Sequence, residues 1–186
     1  MADLNDVHRR VLSATGTIVA GIGPQQWNEA TPCEGWDVRA LANHVVAGNY
    51  WAAELAAGKT IDEVGTALDG DVLGDDAAGS YEKSAAAAAA AFEAPGALDA
   101  PCAVSYGPVP GSVYAGHRII DVLVHGWDLA KATGQDTTLD PDLVAACIEI
   151  VEPQLDMLAA SGAFAPATEV GDDADPQARL LGWLGR

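Results

Sequence analysis

Basic residues are scarce in this chain. Nine Lys and Arg stand against 27 Asp and Glu, giving a formal net charge of −18. Neutralising phosphates takes clustered Lys and Arg, so this balance argues against nucleic acid as a partner. It argues equally against an anionic membrane surface, and it describes a soluble, self-repelling exterior. Cysteine is rare too. Cys33, Cys102 and Cys147 are widely spaced and form no CxxC. The start, Met1-Ala2-Asp3-Leu4-Asn5-Asp6, has neither a basic opening nor an apolar segment. Odd, distant thiols behind such a start lead us to expect reduced cysteines and a cytoplasmic location. No run approaches the ~18 apolar residues of a membrane span. The longest uniform stretch, Ala85 to Ala91, is a weakly hydrophobic helix former. A Gly-rich phosphate loop and a G-x-S-x-G elbow are both missing.

What is present is enough for one domain with a substantial core. The chain has 186 residues, 49% of them apolar, as in ordinary globular proteins. Apolar spacing predicts a first helix from about Leu4 to Val19, with Pro24 beyond its end. A second helix is expected from Asp37, an N-cap, to about Ala57, stopped by Gly58. An acidic, Gly-rich loop should follow, from about Thr60 to Gly74. A third helix covers roughly Asp75 to Phe92 and ends before Pro95-Gly96; its alanines favour helix and allow close approach. Residues 98–110 read as irregular or extended, with Val104 and Tyr106 alternating and no strong strand pattern. A fourth helix should start near Pro110 and stop at Gly134. A fifth, about Asp140 to Ala160, opens on Asp140-Pro141, and Pro153 is expected to kink it. Asp175-Pro176 starts a last short helix carrying Leu180, Leu181, Trp183 and Leu184, expected to pack back on the body. The expectation is a single all-α domain over 1–186, with bundle helices in 1–160 and a tail in 161–186.

The most informative pair is Asp121 and His125, in the run Gly116-His117-Arg118-Ile119-Ile120-Asp121-Val122-Leu123-Val124-His125-Gly126-Trp127-Asp128. Four residues on a helix turn through about 400°, so the two side chains stack on one face. Their neighbours are apolar, which marks a buried helix. A carboxylate and an imidazole inside it need partners. Either they satisfy each other, or they hold a metal ion with a third ligand. His44 is the best third ligand, and it shares a stripe with Leu41, Gly48 and Trp51. Gly48 removes a side chain one turn away and would leave room beside an ion. One carboxylate and two imidazoles suit Zn²⁺, Ni²⁺ or Fe²⁺, and three protein ligands leave a position open, as catalytic sites do. His117, one turn before Asp121, is a rim residue, a supporting donor or an alternative ligand. The cysteines read as core fillers. Cys33 is the one in a loop, with no base nearby in sequence.

Thr31-Pro32-Cys33-Glu34-Gly35-Trp36-Asp37-Val38-Arg39, with His44 after it, resembles the entry to the second helix of the DinB/YfiT-like metal-binding superfamily. Asp121-Val122-Leu123-Val124-His125-Gly126-Trp127-Asp128-Leu129-Ala130 resembles its ligand-bearing helix. The likeness is greatest to the metal-binding domain of mycothiol-dependent maleylpyruvate isomerase. The tail Gln177-Ala178-Arg179-Leu180-Leu181-Gly182-Trp183-Leu184-Gly185-Arg186 is similar to a stand-alone, largely uncharacterised group in that branch. The resemblance implies a four-helix up-down-down-up bundle with an additional C-terminal helix and tail. It implies a divalent ion, usually zinc or nickel, on His44, Asp121 and His125. It also implies a homodimer and a low-molecular-weight thiol such as mycothiol. The isomerase branch often has Glu at the position of Asp121, so an ion here would sit nearer this helix. It also has a further C-terminal domain, for which the ~25 residues after the fifth helix are too few. The reaction expected is therefore another one than maleylpyruvate isomerisation.

Two functions follow as expectations. One is a cytoplasmic metal-dependent transferase or isomerase that presents a small thiol to an electrophilic substrate, with Trp36, Trp51 and Tyr106 lining the pocket mouth. The other is a non-catalytic metal-binding or partner-binding bundle.

Overall fold

A computed structural model describes residues 3–162, 165–171 and 173–186. They form two compact units, Asp3–Asp136 and a second one from Thr137 onwards.

The larger unit is built on four long helices: α1 (Leu4–Ala20), α2 (Val38–Ala56), α4 (Ala77–Glu93) and α5 (Gly111–Thr133). Each of the first three starts where a carboxylate accepts an otherwise orphaned amide. Asp3 takes Asn5 N, Asp37 takes Ala40 N and Asp76 takes Gly79 N. Helix α5 instead follows Pro110 and stops at Gly134, whose φ of 69° is left-handed. Around the bundle α1 neighbours α4 and α5, and α2 neighbours the same two. Helix α5 is therefore flanked by both others, and most of its surface is covered. Ile119, Ile120, Val122, Leu123, Val124 and Leu129 are all buried. The alanines of α4 let helices close up, as expected: Ala88, Ala52 and Ala115 surround Phe92. Burying that ring contributes about 2–3 kcal/mol.

Two short elements were not expected. In the acidic loop, Thr60 and Glu63 form a reciprocal capping box that starts a one-turn helix, α3 (Ile61–Val64). The segment read as irregular or extended is extended, and it pairs as an antiparallel hairpin, β1 (Pro101–Val104) with β2 (Gly107–Pro110). Its prolines hid it, because a proline carries no amide to signal a ladder, yet a two-stranded ribbon tolerates them on outward-facing positions. Loop residues near α2 are tied to that helix. Asn43 donates to Gly70 O and accepts from Val72 N and Leu73 N, while Arg39 pairs with Asp71 at 2.6 Å.

The second unit holds α6 (Pro141–Val151), a 3₁₀ turn (Glu152–Gln154), α7 (Leu155–Ser161) and α8 (Pro176–Trp183). The interruption falls at Pro153, as anticipated. Asp140 and Asp175 cap α6 and α8, each followed by proline. Helix α8 packs on α6, and the Gln177 amide clamps the preceding loop by accepting from Leu139 N and donating to Thr137 O. The architecture is all-α, DinB-like, with a C-terminal helix. No helix among the described residues is long and apolar enough to cross a membrane.

Candidate metal centre

Helix α5 supplies Asp121 and His125 one turn apart, and α2 supplies His44 from across the packed pair. Asp121 Oδ1 lies 3.6 Å from His44 Nε2 and 3.5 Å from His125 Nε2. The two imidazoles meet edge to face, with ring centroids 5.1 Å apart. One donor atom from each residue falls within 4.8 Å of the others. Those separations are longer than a charge-assisted hydrogen bond of about 2.8 Å. They are what ligands at about 2.0–2.2 Å from a shared ion take up. His44 Nε2 is buried and lacks a hydrogen-bond partner among the described residues. An orphaned, inward-facing imidazole nitrogen beside a carboxylate oxygen and a second imidazole fits a divalent cation.

Each donor is held from behind. Arg118, one turn before Asp121, donates from Nη1 to Asp121 Oδ2 at 2.9 Å. That engages one carboxylate oxygen and leaves Oδ1 towards the histidines. Arg118 also donates to Asn49 Oδ1 at 3.2 Å, and Asn49 donates to Ser84 Oγ at 3.2 Å, so the chain of contacts runs from α5 through α2 to α4. Behind His125, Nδ1 lies 3.1 Å from Oδ2 of the fully buried Asp128. With the Nδ1 proton on Asp128, the Nε2 lone pair is left facing the site, the usual arrangement behind a metal-bound histidine.

Charge follows this geometry. Burial acts to raise the Asp121 carboxyl, but Arg118, then His125 and His44, hold it well below its ordinary range. Burial acts to lower His125. The hydrogen bond and charge of Asp121, with Asp128 and Cys33 behind them, push it up to about 11 in the ion-free protein. Without an ion, the imidazolium thus joins the Arg118 guanidinium as counter-charge to Asp121.

The loop entering α2 closes one side. Trp36 N donates to Cys33 O at 3.0 Å, and Gly35 at φ 80° takes the third position of that turn. Thr31 Oγ1 accepts from Cys33 N and donates to Trp36 O. The turn lays the Trp36 ring over His44, at 4.7 Å between centroids, and 6.2 Å from His125, with 37% of the residue still exposed. It also aims the Cys33 thiol at Asp128 Oδ2, 3.2 Å away, with His125 Nδ1 at 3.7 Å.

The other sequence candidates are placed differently. Trp51 is half-buried on α2 and makes no ring contact or hydrogen bond among the described residues. Tyr106 sits at the hairpin tip, 60% exposed, with its hydroxyl 2.6 Å from His117 Nδ1. His117 is thereby turned to the hairpin. The space beside Gly48 does not face an ion: the Arg118 guanidinium fills it. Sequence reading missed Arg118, Asp128 and the base near Cys33. The first two carried a signal, since Arg118–Asp121 and His125–Asp128 are both i,i+3 pairs on one helix. Cys33 carried none, because 92 residues separate it from His125.

Residues 8–130 match the family described as mycothiol maleylpyruvate isomerase N-terminal domain, and the chain belongs to that family. The span contains all three donors. Two uncharacterized proteins of Mycobacterium tuberculosis, from strains CDC 1551 / Oshkosh and H37Rv, are each 34% identical over 183 residues. The alignments cover 96% of this chain and 95% of each relative. No solved structure matches it.

Proposed function

We propose that this member of the mycothiol maleylpyruvate isomerase N-terminal domain family binds a divalent metal, zinc or nickel, through His44, Asp121 and His125. We propose further that it is a transferase or isomerase using mycothiol or another low-molecular-weight thiol on an electrophilic substrate. The observation that carries the reading is the convergence of Asp121 Oδ1 with two Nε2 atoms, one of them buried and otherwise unbonded. Three protein donors leave a coordination position open. A bound ion would supply Lewis acidity there, lowering the pKa of a coordinated thiol.

The chain's own residues do the positioning. Arg118 fixes the Asp121 carboxylate, and Asp128 fixes the His125 tautomer. Trp36 excludes water from the His44 face and offers an exposed aromatic edge to an incoming molecule. The Tyr106 hydroxyl and His117, one turn along α5 from Asp121, are the pair that can hold a proton near the mouth. A cytoplasmic location and a homodimer complete the proposal.

A second reading, a non-catalytic metal-binding or partner-binding bundle, is favoured by one observation. Arg118 and Asp128 are engaged in holding the donors and Cys33 in holding Asp128, so none of the three serves as a general base.

Elemental analysis of the purified protein, beside His44→Ala and His125→Ala, tests the site. A divalent ion held at this site should be lost with either histidine; metal content undiminished in both variants would overturn the assignment. Turnover of electrophiles by the metal-loaded protein, across a panel of small thiols, separates the enzyme from the binding bundle.

A further inference from the structure

His125 stands between two sets of donors, one at each ring nitrogen. Nε2 faces His44 and Asp121. Nδ1 faces Cys33 Sγ at 3.7 Å and Asp128 Oδ2 at 3.1 Å, and Sγ and Oδ2 are 3.2 Å apart. We propose that Cys33 Sγ, His125 Nδ1 and Asp128 Oδ2 form a second cation position, selective for a thiophilic divalent ion.

The geometry is that of ligands around one centre. An ion at about 2.0–2.1 Å from nitrogen and oxygen and about 2.3 Å from sulfur holds such atoms roughly 3.2–3.8 Å apart. The three separations here lie in or within a tenth of that interval without any side chain moving. The donors are also pre-ordered. Asp128 is fully buried on α5, His125 is 8% exposed, and Cys33 rides on the turn that Thr31 and Gly35 fix. The partly exposed Cys33 side is the way in. One thiolate beside an imidazole and a carboxylate favours zinc or cadmium over magnesium or calcium.

Proton bookkeeping makes the two positions alternatives. A neutral imidazole has one lone pair for an ion and one proton. With the ion on Nδ1, the ring gives up its Nδ1 proton to solvent and keeps the one on Nε2, which faces Asp121 Oδ1 at 3.5 Å. The Cys33 proton leaves to solvent. An ion on the Nε2 side instead requires the proton on Nδ1, against Asp128. The second position uses neither His44 nor Asp121 as a ligand and shares only His125 with the site proposed above, so His44→Ala tells the two apart.

Cadmium titration of the full chain, stripped of metal by chelator, tests this through the ultraviolet sulfur-to-cadmium charge-transfer band. The wild type should show a saturable band at one equivalent. His44→Ala should keep it, Cys33→Ser should lose it, and Asp128→Asn should weaken cadmium binding by more than about tenfold. A band that survives Cys33→Ser would assign the sulfur to Cys102 or Cys147 and overturn the proposal. A band lost in His44→Ala would overturn it too, by joining the thiol to the other site. Cadmium NMR of the wild type needs no variant to fold. One sulfur in the cadmium shell supports the position, and a shell without sulfur refutes it.

Discussion

The guanidinium of Arg118 lies against the bare backbone of Gly48. A Cβ at residue 48 would fall 2.5 Å from Arg118 Nη1 and 2.8 Å from Cζ and Nη2. The glycine on α2 is thus the slot through which a charged α5 side chain reaches Asp121 and Asn49. The guanidinium is the buried cation that sets the orientation of the Asp121 carboxylate.

Gly48→Ala should expel that guanidinium from its slot. Overpacking of this kind costs about 1–3 kcal/mol, and Asp121 would lose its hold on Oδ2. Denaturant unfolding of the metal-free protein should show the loss, and metal affinity should fall by roughly tenfold or more. Unchanged stability and affinity would mean that the Arg118 contact contributes nothing to the site.

His8 should make stability depend on acid. It is 1% exposed on α1, packed edge-on against Phe92 at 5.2 Å, with a buried Nε2 that has no hydrogen-bond partner among the described residues. Burial, and then the charge of Arg118, lower its pKa to about 4. In the unfolded chain the value is near ~6.5. Between these limits the unfolded state binds the extra proton, so stability rises with pH across that window. The contribution is complete above the unfolded value and lost as pH falls towards 4, amounting to about 3 kcal/mol. His8→Leu should flatten the unfolding free energy between about pH 4 and pH 6.5. A slope that persists in the variant would place the titration elsewhere.

Metal should stabilise the fold, and protons should compete with it. His44 and His125 must present an unprotonated nitrogen to an ion, and an ion that binds only the folded state raises Tm. Melting curves with and without chelator should differ widely at about pH 7–8 and converge below about pH 5. The sign follows from the folded, ion-free site, where His125 carries a proton that an ion must displace, so each fall in pH weakens binding. A gap of one size at every pH would mean that histidine does not hold the ion.

Gly35→Ala should disturb the site from outside it. Its φ of 80° costs an L residue about 1 kcal/mol and sits in the turn that carries both Cys33 and Trp36. Metal affinity should drop several-fold. Gly58→Ala, at φ 94° past the end of α2 with open space around it, serves as the control. It should lower Tm alone, and an equal loss of metal affinity there would mean that Gly35 has no specific hold on the site.

Much of the frame was legible because it is local. Asp37, Asp140 and Asp175 cap helices where the sequence placed caps, Gly134 ends α5, and Pro153 interrupts the helix it sits in. The Asp121–His125 stack follows from helical periodicity alone, and His44 from the inward-facing stripe it shares with Leu41 and Trp51; the motif likeness reinforced all three. Local signals failed where two readings competed. Prolines masked the β1–β2 hairpin, and the one-turn α3 depends on a capping box inside a stretch read as loop.

What only tertiary structure decided is how each donor is supported. The sequence shows that Gly48 lacks a side chain; only the packing of α2 on α5 says that Arg118 fills the space. His117 shares a stripe with Asp121, yet the hairpin claims it through Tyr106. Cys33 has no basic neighbour along the chain, but the fold closes 92 residues of separation to put its sulfur beside His125 and Asp128. The physical reason is range. Caps, periodicity and breakers act within a turn or two of helix. A carboxylate's second oxygen or an imidazole's second nitrogen is satisfied by whichever side chain packing brings within about 3 Å, wherever in the chain that side chain lies.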